Sequence, residues 1–218
     1  MHRMGLIKPA IAAASLVRIE VGELDKDPSG GVRLDWDAMT FAAGDLVIVF
    51  ACNDGGNPQT ITGFTDILVD IDNNPETNCR YRFVDGNETG TDTVFAATQP
   101  DSSGGYVVYR NASTPTFATA ISVANGDPDP PSLGSIAATS HVIAAGFLDD
   151  DYTAGTATPP SGYTHLATWT SNNTAADTGS STSIAVNESP SATENPGVID
   201  FGTTDRWNAA TIQIPLAV

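Results

Sequence analysis

Apolar residues lie in short runs separated by turn formers, and nearly every run has the composition of a β-strand. The strongest is Leu46-Val47-Ile48-Val49-Phe50, opened by Gly44-Asp45 and closed by Asn53-Asp54-Gly55-Gly56. Further runs predict strands over 16–20, 32–36, 65–71, 80–84, 93–96, 106–110 and 117–123. The second half adds 141–148, 164–170, 182–186, 198–201 and 209–216. β-Branched and aromatic residues fill these runs, and Gly, Asn, Asp, Ser and Pro punctuate them. No segment sustains a 3.6-residue apolar period over three capped turns, although 10–17 has room for one or two helical turns. The pattern predicts an all-β chain. Its clearest connector is the Pro-rich stretch 125–134, whose prolines cannot donate to a strand ladder and so belong on an edge or the surface.

The runs also repeat. The segment from Gly44 to Asn74 matches the segment from Thr139 to Asn173, with Val47-Ile48 corresponding to Val142-Ile143. Thr62-Gly63-Phe64-Thr65 corresponds to Ser161-Gly162-Tyr163-Thr164, and each copy ends in Asn-Asn. Strands over 80–84 and 182–186, short apolar pieces over 93–96 and 198–201, and closing strands over 106–110 and 210–214 complete two copies of a four-element unit. A lone four-stranded sheet leaves an apolar face bare, whereas two such sheets cover one another. The expected fold is therefore an all-β, jelly-roll-like sandwich over 44–218. Its repeat halves are about 44–112 and 139–217, with a connector over 113–138. Residues 1–43 supply an N-terminal arm and first strands. Two small independent β domains are the alternative.

Gly44-Asp45-Leu46, Pro160-Ser161-Gly162-Tyr163-Thr164 and Trp207-Asn208-Ala209-Ala210-Thr211-Ile212 together resemble the strand-and-turn pattern of a group of tailed-phage virion proteins. The resemblance runs from Gly44 to the C-terminus. It implies a β-sandwich attached to a head or tail, as a capsid decoration (cement) protein or an appendage component. The first copy departs from the pattern, lacking the Pro before Gly63 and placing Gly104-Gly105 where the second has Arg206-Trp207.

Charge narrows the partners. The 218 residues include 26 Asp and Glu against 9 Lys and Arg, a net charge of −17. Such a chain is repelled by nucleic-acid phosphates and anionic lipid surfaces, so neither is an expected partner. No apolar run reaches the roughly 18 residues of a membrane-spanning helix. Residues 1–17 superficially resemble a secretory signal, with His2 and Arg3 as its basic region. Lys8 and Pro9 interrupt the apolar run, which favours an extended arm or first strand. Cys52 and Cys79 permit one disulfide, but two small buried residues is the preferred reading, and no zinc-type spacing exists.

Candidate chemistry is sparse. No catalytic residue is assigned: there is no Gly-x-Ser-x-Gly elbow and no Cys beside a plausible His. His141 and His165 correspond to Leu46 and Asp66 of the first copy, which suits packing or surface roles. Glu76, Glu88, Glu188 and Glu194 are expected to be solvated loop charges, and Glu20 has no evident partner. Asp70, Asp72 and Asn74 have the 1, 3, 5 spacing of a calcium loop, but Pro75 and Tyr81 stand where an EF-hand needs Gly and Glu. Calcium at these three residues is the one cofactor candidate, with Asp149-Asp150-Asp151 a weaker one. Trp169 and Trp207 are expected in the core or its rim rather than on a glycan platform. Arg80 and Arg82 alternate on one strand, suited to nearby carboxylates or another subunit.

These features favour a non-enzymatic virion structural protein, foremost a capsid decoration protein stabilising the outer shell of a tailed phage. Its partners would be the major capsid protein or other virion proteins, and it would act as a homo-oligomer, with a trimer one such form. A tail fibre or appendage component is the neighbouring alternative. A secreted, extracellular carbohydrate-binding β-sandwich is the alternative from another class, and an acidic glycoside hydrolase a third.

Overall fold

The computed structural model describes residues 14–27, 31–71, 75–99, 101–150, 156–171 and 179–218. In the first half these form β1 (Val17–Glu23), β2 (Asp25–Lys26), β3 (Val32–Asp35), β4 (Leu46–Asn53), β5 (Thr65–Asp70), β6 (Glu76–Phe83), β7 (Thr91–Phe95) and β8 (Ser102–Arg110). The second half gives β9 (Thr116–Gly126), β10 (Leu133–Gly134), β11 (His141–Leu148), β12 (Thr164–Thr170), β13 (Ser181–Asn187), β14 (Thr193–Glu194) and β15 (Asp205–Ile214). One 3-10 turn, Trp36–Ala38, is the only helical element among the described residues.

Two five-stranded antiparallel sheets build the sandwich. The first has the order β1-β8-β4-β6-β5, the second β12-β13-β11-β15-β9. Read from its other edge, the second repeats the first strand for strand. Leu46 pairs with Phe83 and Tyr109, and His141, one residue before Val142, pairs with Ile214, which fixes β4 as the counterpart of β11. Even a bulge recurs, between Asp66 and Leu68 on β5 and between His165 and Ala167 on β12. Each sheet is drawn from one half of the chain.

The all-β sandwich expected from the duplication is the fold observed. Its unit is larger by one strand per copy. β1 lies within 1–43 and β9 within 113–138, yet each is an edge strand of its sheet. The registers also correct one alignment. Gly104 and Gly105 correspond to Ala209 and Ala210, whereas Trp207 corresponds to Ser102. The 198–201 piece forms only an isolated bridge, Thr158 to Asp200.

Period-two alternation explains why both faces of the central strands are buried. Leu46, Ile48, Phe50 and Cys52 of β4 face Ile143, Ala145 and Phe147 of β11 in the core between the sheets. The intervening Val47, Val49 and Ala51 point outward under a small cap sheet, β2-β3-β7, and Trp36. Val142, Ala144 and Leu148 point the other way, under Tyr163, Ile199 and Phe201. Two capped sheets thus bury three apolar layers.

Candidate functional site

All the long strands begin or end at one end of the sandwich, and carboxylates gather there. Asp54 follows β4 and Asp149 follows β11, so they are counterparts in the repeat that meet across the two sheets. They share a hydrogen bond. Burial first, then the charges of Asp54, Asp205 and Glu76, push Asp149 up to about 8. Burial likewise raises Asp54, while the hydrogen bond from Asp149 opposes that rise. The pair therefore holds a proton near neutral pH, as close carboxyl pairs do. Backbone contacts anchor it, with the Asp149 N–H donating to the Arg206 carbonyl at 3.0 Å. The Thr203 hydroxyl donates to Asp150 Oδ2 at 3.1 Å.

Polar side chains continue inward from this end. Glu76 accepts the Gly55 and Gly56 N–H groups at 2.7 and 3.1 Å, although burial still raises its pKa. Asn208 of β15 reaches across to the first sheet, donating to Asp70 Oδ2 at 3.2 Å, the Pro75 carbonyl at 2.8 Å and Thr77 Oγ1 at 2.8 Å. The Ser180 hydroxyl lies between the Asp101 and Cys52 carbonyls, at 2.6 and 3.0 Å, with its one proton available to either. Chemically, this arrangement joins the sheets through a proton and a polar seam.

Of the calcium candidates, Asp70 is buried and bonded to Asn208, whereas Asp72 and Asn74 lie outside the described residues. Asp149 and Asp150 are part of the acidic end, and Asp151 is outside the described residues. Among the described residues no group of three or more His, Cys, Asp or Glu could hold a metal ion.

The glutamates are where the sequence misled most. Glu76 and Glu194 are buried, and the Glu88 side chain is nearly so. Only Glu188 is an exposed loop charge, paired with Arg18 at 2.8 Å. Glu88 and Glu194 follow corresponding strands and do corresponding work. Glu88 accepts the Asp85 and Gly86 N–H groups and binds Arg82 at 2.5 Å. Glu194 accepts the Ser191 N–H and hydroxyl, and the Tyr163 hydroxyl at 2.9 Å. Burial alone would raise both carboxyls, but these donors hold both below the usual range. Glu20 too has partners, the Tyr106 hydroxyl at 2.8 Å and the Thr40 N–H at 2.7 Å. The signal available was the position of Glu88 and Glu194 downstream of the strands over 80–84 and 182–186, which the repeat makes equivalent.

Other residues fall into structural positions. His141 stacks edge-on against Tyr109 at 5.5 Å, and His165 bonds Thr168 at 2.9 Å; burial lowers both histidine pKa values. Trp169 is buried in the inter-sheet core, and Trp207 is half-buried against the outer layer. Trp36 is buried beneath Arg82, whose guanidinium lies 5.6 Å from the ring centroid. Arg80 pairs with Asp66 at 3.1 Å, so both strand arginines find carboxylates within the chain. Cys52 and Cys79 are buried free thiols, and burial pushes Cys52 up to about 11.

Comparison of the chain with protein-family models, with curated proteins and with solved structures finds no match.

Proposed function

We propose that the chain is a non-enzymatic structural protein of a tailed-phage particle, foremost a decoration protein on the outer capsid surface, with the major capsid protein as its partner. The observation that carries this reading is the role of the residues behind the virion resemblance: they hold the sandwich together. Asp45 is buried, accepts the Ala42 N–H and receives Arg110 through two bonds of 2.9 and 2.7 Å. Gly162 takes φ +83°, as Gly63 takes +79° in the first copy, so that each turn can deliver its aromatic residue. Tyr163 is then buried and bonded to Glu194. Ala209, Ala210 and Ile212 fill β15 with no exposed surface. A motif spent on packing suits a protein whose work is mechanical, adding buried interface to a shell.

Co-sedimentation with purified heads and tails of the phage encoding the chain tests the proposal. Saturable binding to heads, with a higher temperature of shell disruption, is the expected result. Binding to tails alone would select the appendage reading. Binding to neither, with retention on immobilised glycans, would overturn the proposal in favour of carbohydrate recognition.

A further inference from the structure

Four edge strands border the two sheets, and three are defended against pairing with another chain. β1 carries Arg18, Glu20 and Glu23 and is bulged between Arg18 and Glu20. β5 carries Asp66 and Asp70 and is bulged between Asp66 and Leu68. β12 is bulged between His165 and Ala167. Charges and bulges are the usual means of blunting an edge. β9 is different. It is the longest strand among the described residues, and no charged residue lies between Arg110 and Asp127. Its pairing with β15 is unbroken from Thr116 to Ser122, and its one register shift falls beyond that segment, between Ser122 and Gly126. By register, Thr116 and Thr119 stand where β1 has Glu20 and Glu23, so β9 lacks the carboxylates that its counterpart edge carries.

The face of β9 turned towards the first sheet is also open. Phe117 and Ile121 are 38% and 50% exposed, and Ile71, next to the facing edge strand β5, is 56% exposed. The sequence of the unbroken segment then names the occupant. Thr116-Phe117-Ala118-Thr119-Ala120-Ile121-Ser122 reads almost alike in both directions about Thr119. When a strand pairs antiparallel with a second copy of itself about Thr119, Phe117 meets Ile121, Ala118 meets Ala120 and Thr116 meets Ser122. Aromatic against β-branched and hydroxyl against hydroxyl are the favourable cross-strand pairs.

We infer that β9 is a homodimer interface, in which two copies pair antiparallel about Thr119 and join their second sheets into one ten-stranded sheet. Charge supports a second copy as occupant. Two molecules of net charge −17 repel, and β9 is an edge at which they approach without opposing carboxylates. The backbone edge and the exposed apolar side chains offer on the order of 500 Å² per copy, or about 1,000 Å² in all, the lower bound for a specific interface. A two-fold pair uses both β9 edges, so the assembly closes. The inference is independent of the virion reading.

Sedimentation velocity of the full chain, with three variants, tests it. The wild type is expected to be a dimer at micromolar concentration, and Ile121→Lys a folded monomer, because residue 121 is half-exposed in the single chain. Thr119→Cys should form an interchain disulfide under mild oxidation, since directly opposed residues lie within disulfide reach. Thr114→Cys should not, its two copies being about 30 Å apart in this register. Cys52 and Cys79 are buried and do not compete. A monomeric wild type, a trimer or larger assembly, or Thr119→Cys that fails to cross-link would each overturn the interface. Should Ile121→Lys fail to fold, the two cysteine variants decide the question.

Discussion

Asp149 and Asp54 share a proton because the repeat brings corresponding ends of β4 and β11 together where burial disfavours two charges. The consequence for stability has a definite sign. Asp149 keeps its proton up to about 8 when folded but releases it near its ordinary value of 3.8 when unfolded. Between those values the native state holds the extra proton, so stability falls as pH rises from about 4 to about 8. Asp149→Asn keeps a donor towards Asp54 and removes the titration. Thermal unfolding at a series of pH values should show the wild-type midpoint declining from about pH 5 to pH 8 and the variant's staying nearly flat. The variant should be the more stable at pH 8. Parallel curves would show that the pair carries no such proton.

Single elements were legible wherever the apolar run was long and locally bounded. β11 and β12 begin and end where the sequence predicts, and β4 begins at Leu46 as expected but runs three residues past Phe50, to Asn53. β8 begins four residues earlier than its apolar run, because Ser102-Ser103-Gly104-Gly105 reads as a loop but lies flat in the sheet. Tertiary packing demands those glycines. A Cβ on Gly105 would overlap the Trp169 ring and the Gly22 carbonyl from two other strands. Gly105→Ala should therefore destabilise the fold by about 1–3 kcal/mol through overpacking, measured by denaturant unfolding. Adding Trp169→Leu should recover part of that loss. An additive double variant would mean that the ring and the glycine are not coupled. Loop glutamates were misread for a related reason. Solvation is the default for Glu in a polar loop, and only the folded chain shows the N–H and hydroxyl groups converging on Glu88 and Glu194.

At the scale of the molecule, the duplication was visible because turn and strand residues recur in order. The fifth strand of each unit was not, since β1 and β9 share almost no residues: Glu20 corresponds to Thr116 and Glu23 to Thr119. That difference leaves an acidic molecule with a long neutral edge at β9. The net charge of −17 also strains the single fold by self-repulsion, which salt screens. The thermal midpoint should rise between about 0.05 and 0.5 M NaCl, and a midpoint indifferent to salt would mean that the charges are already balanced locally.

A structural role in a phage particle requires the chain to be present in that particle in proportion to its shell. Quantitative mass spectrometry of purified particles of the phage to which the proposal assigns the chain measures this directly. The account predicts the protein at a fixed ratio to the major capsid protein, unchanged by repeated banding in a density gradient. Absence from banded particles, with the protein recovered in the surrounding medium, would contradict it.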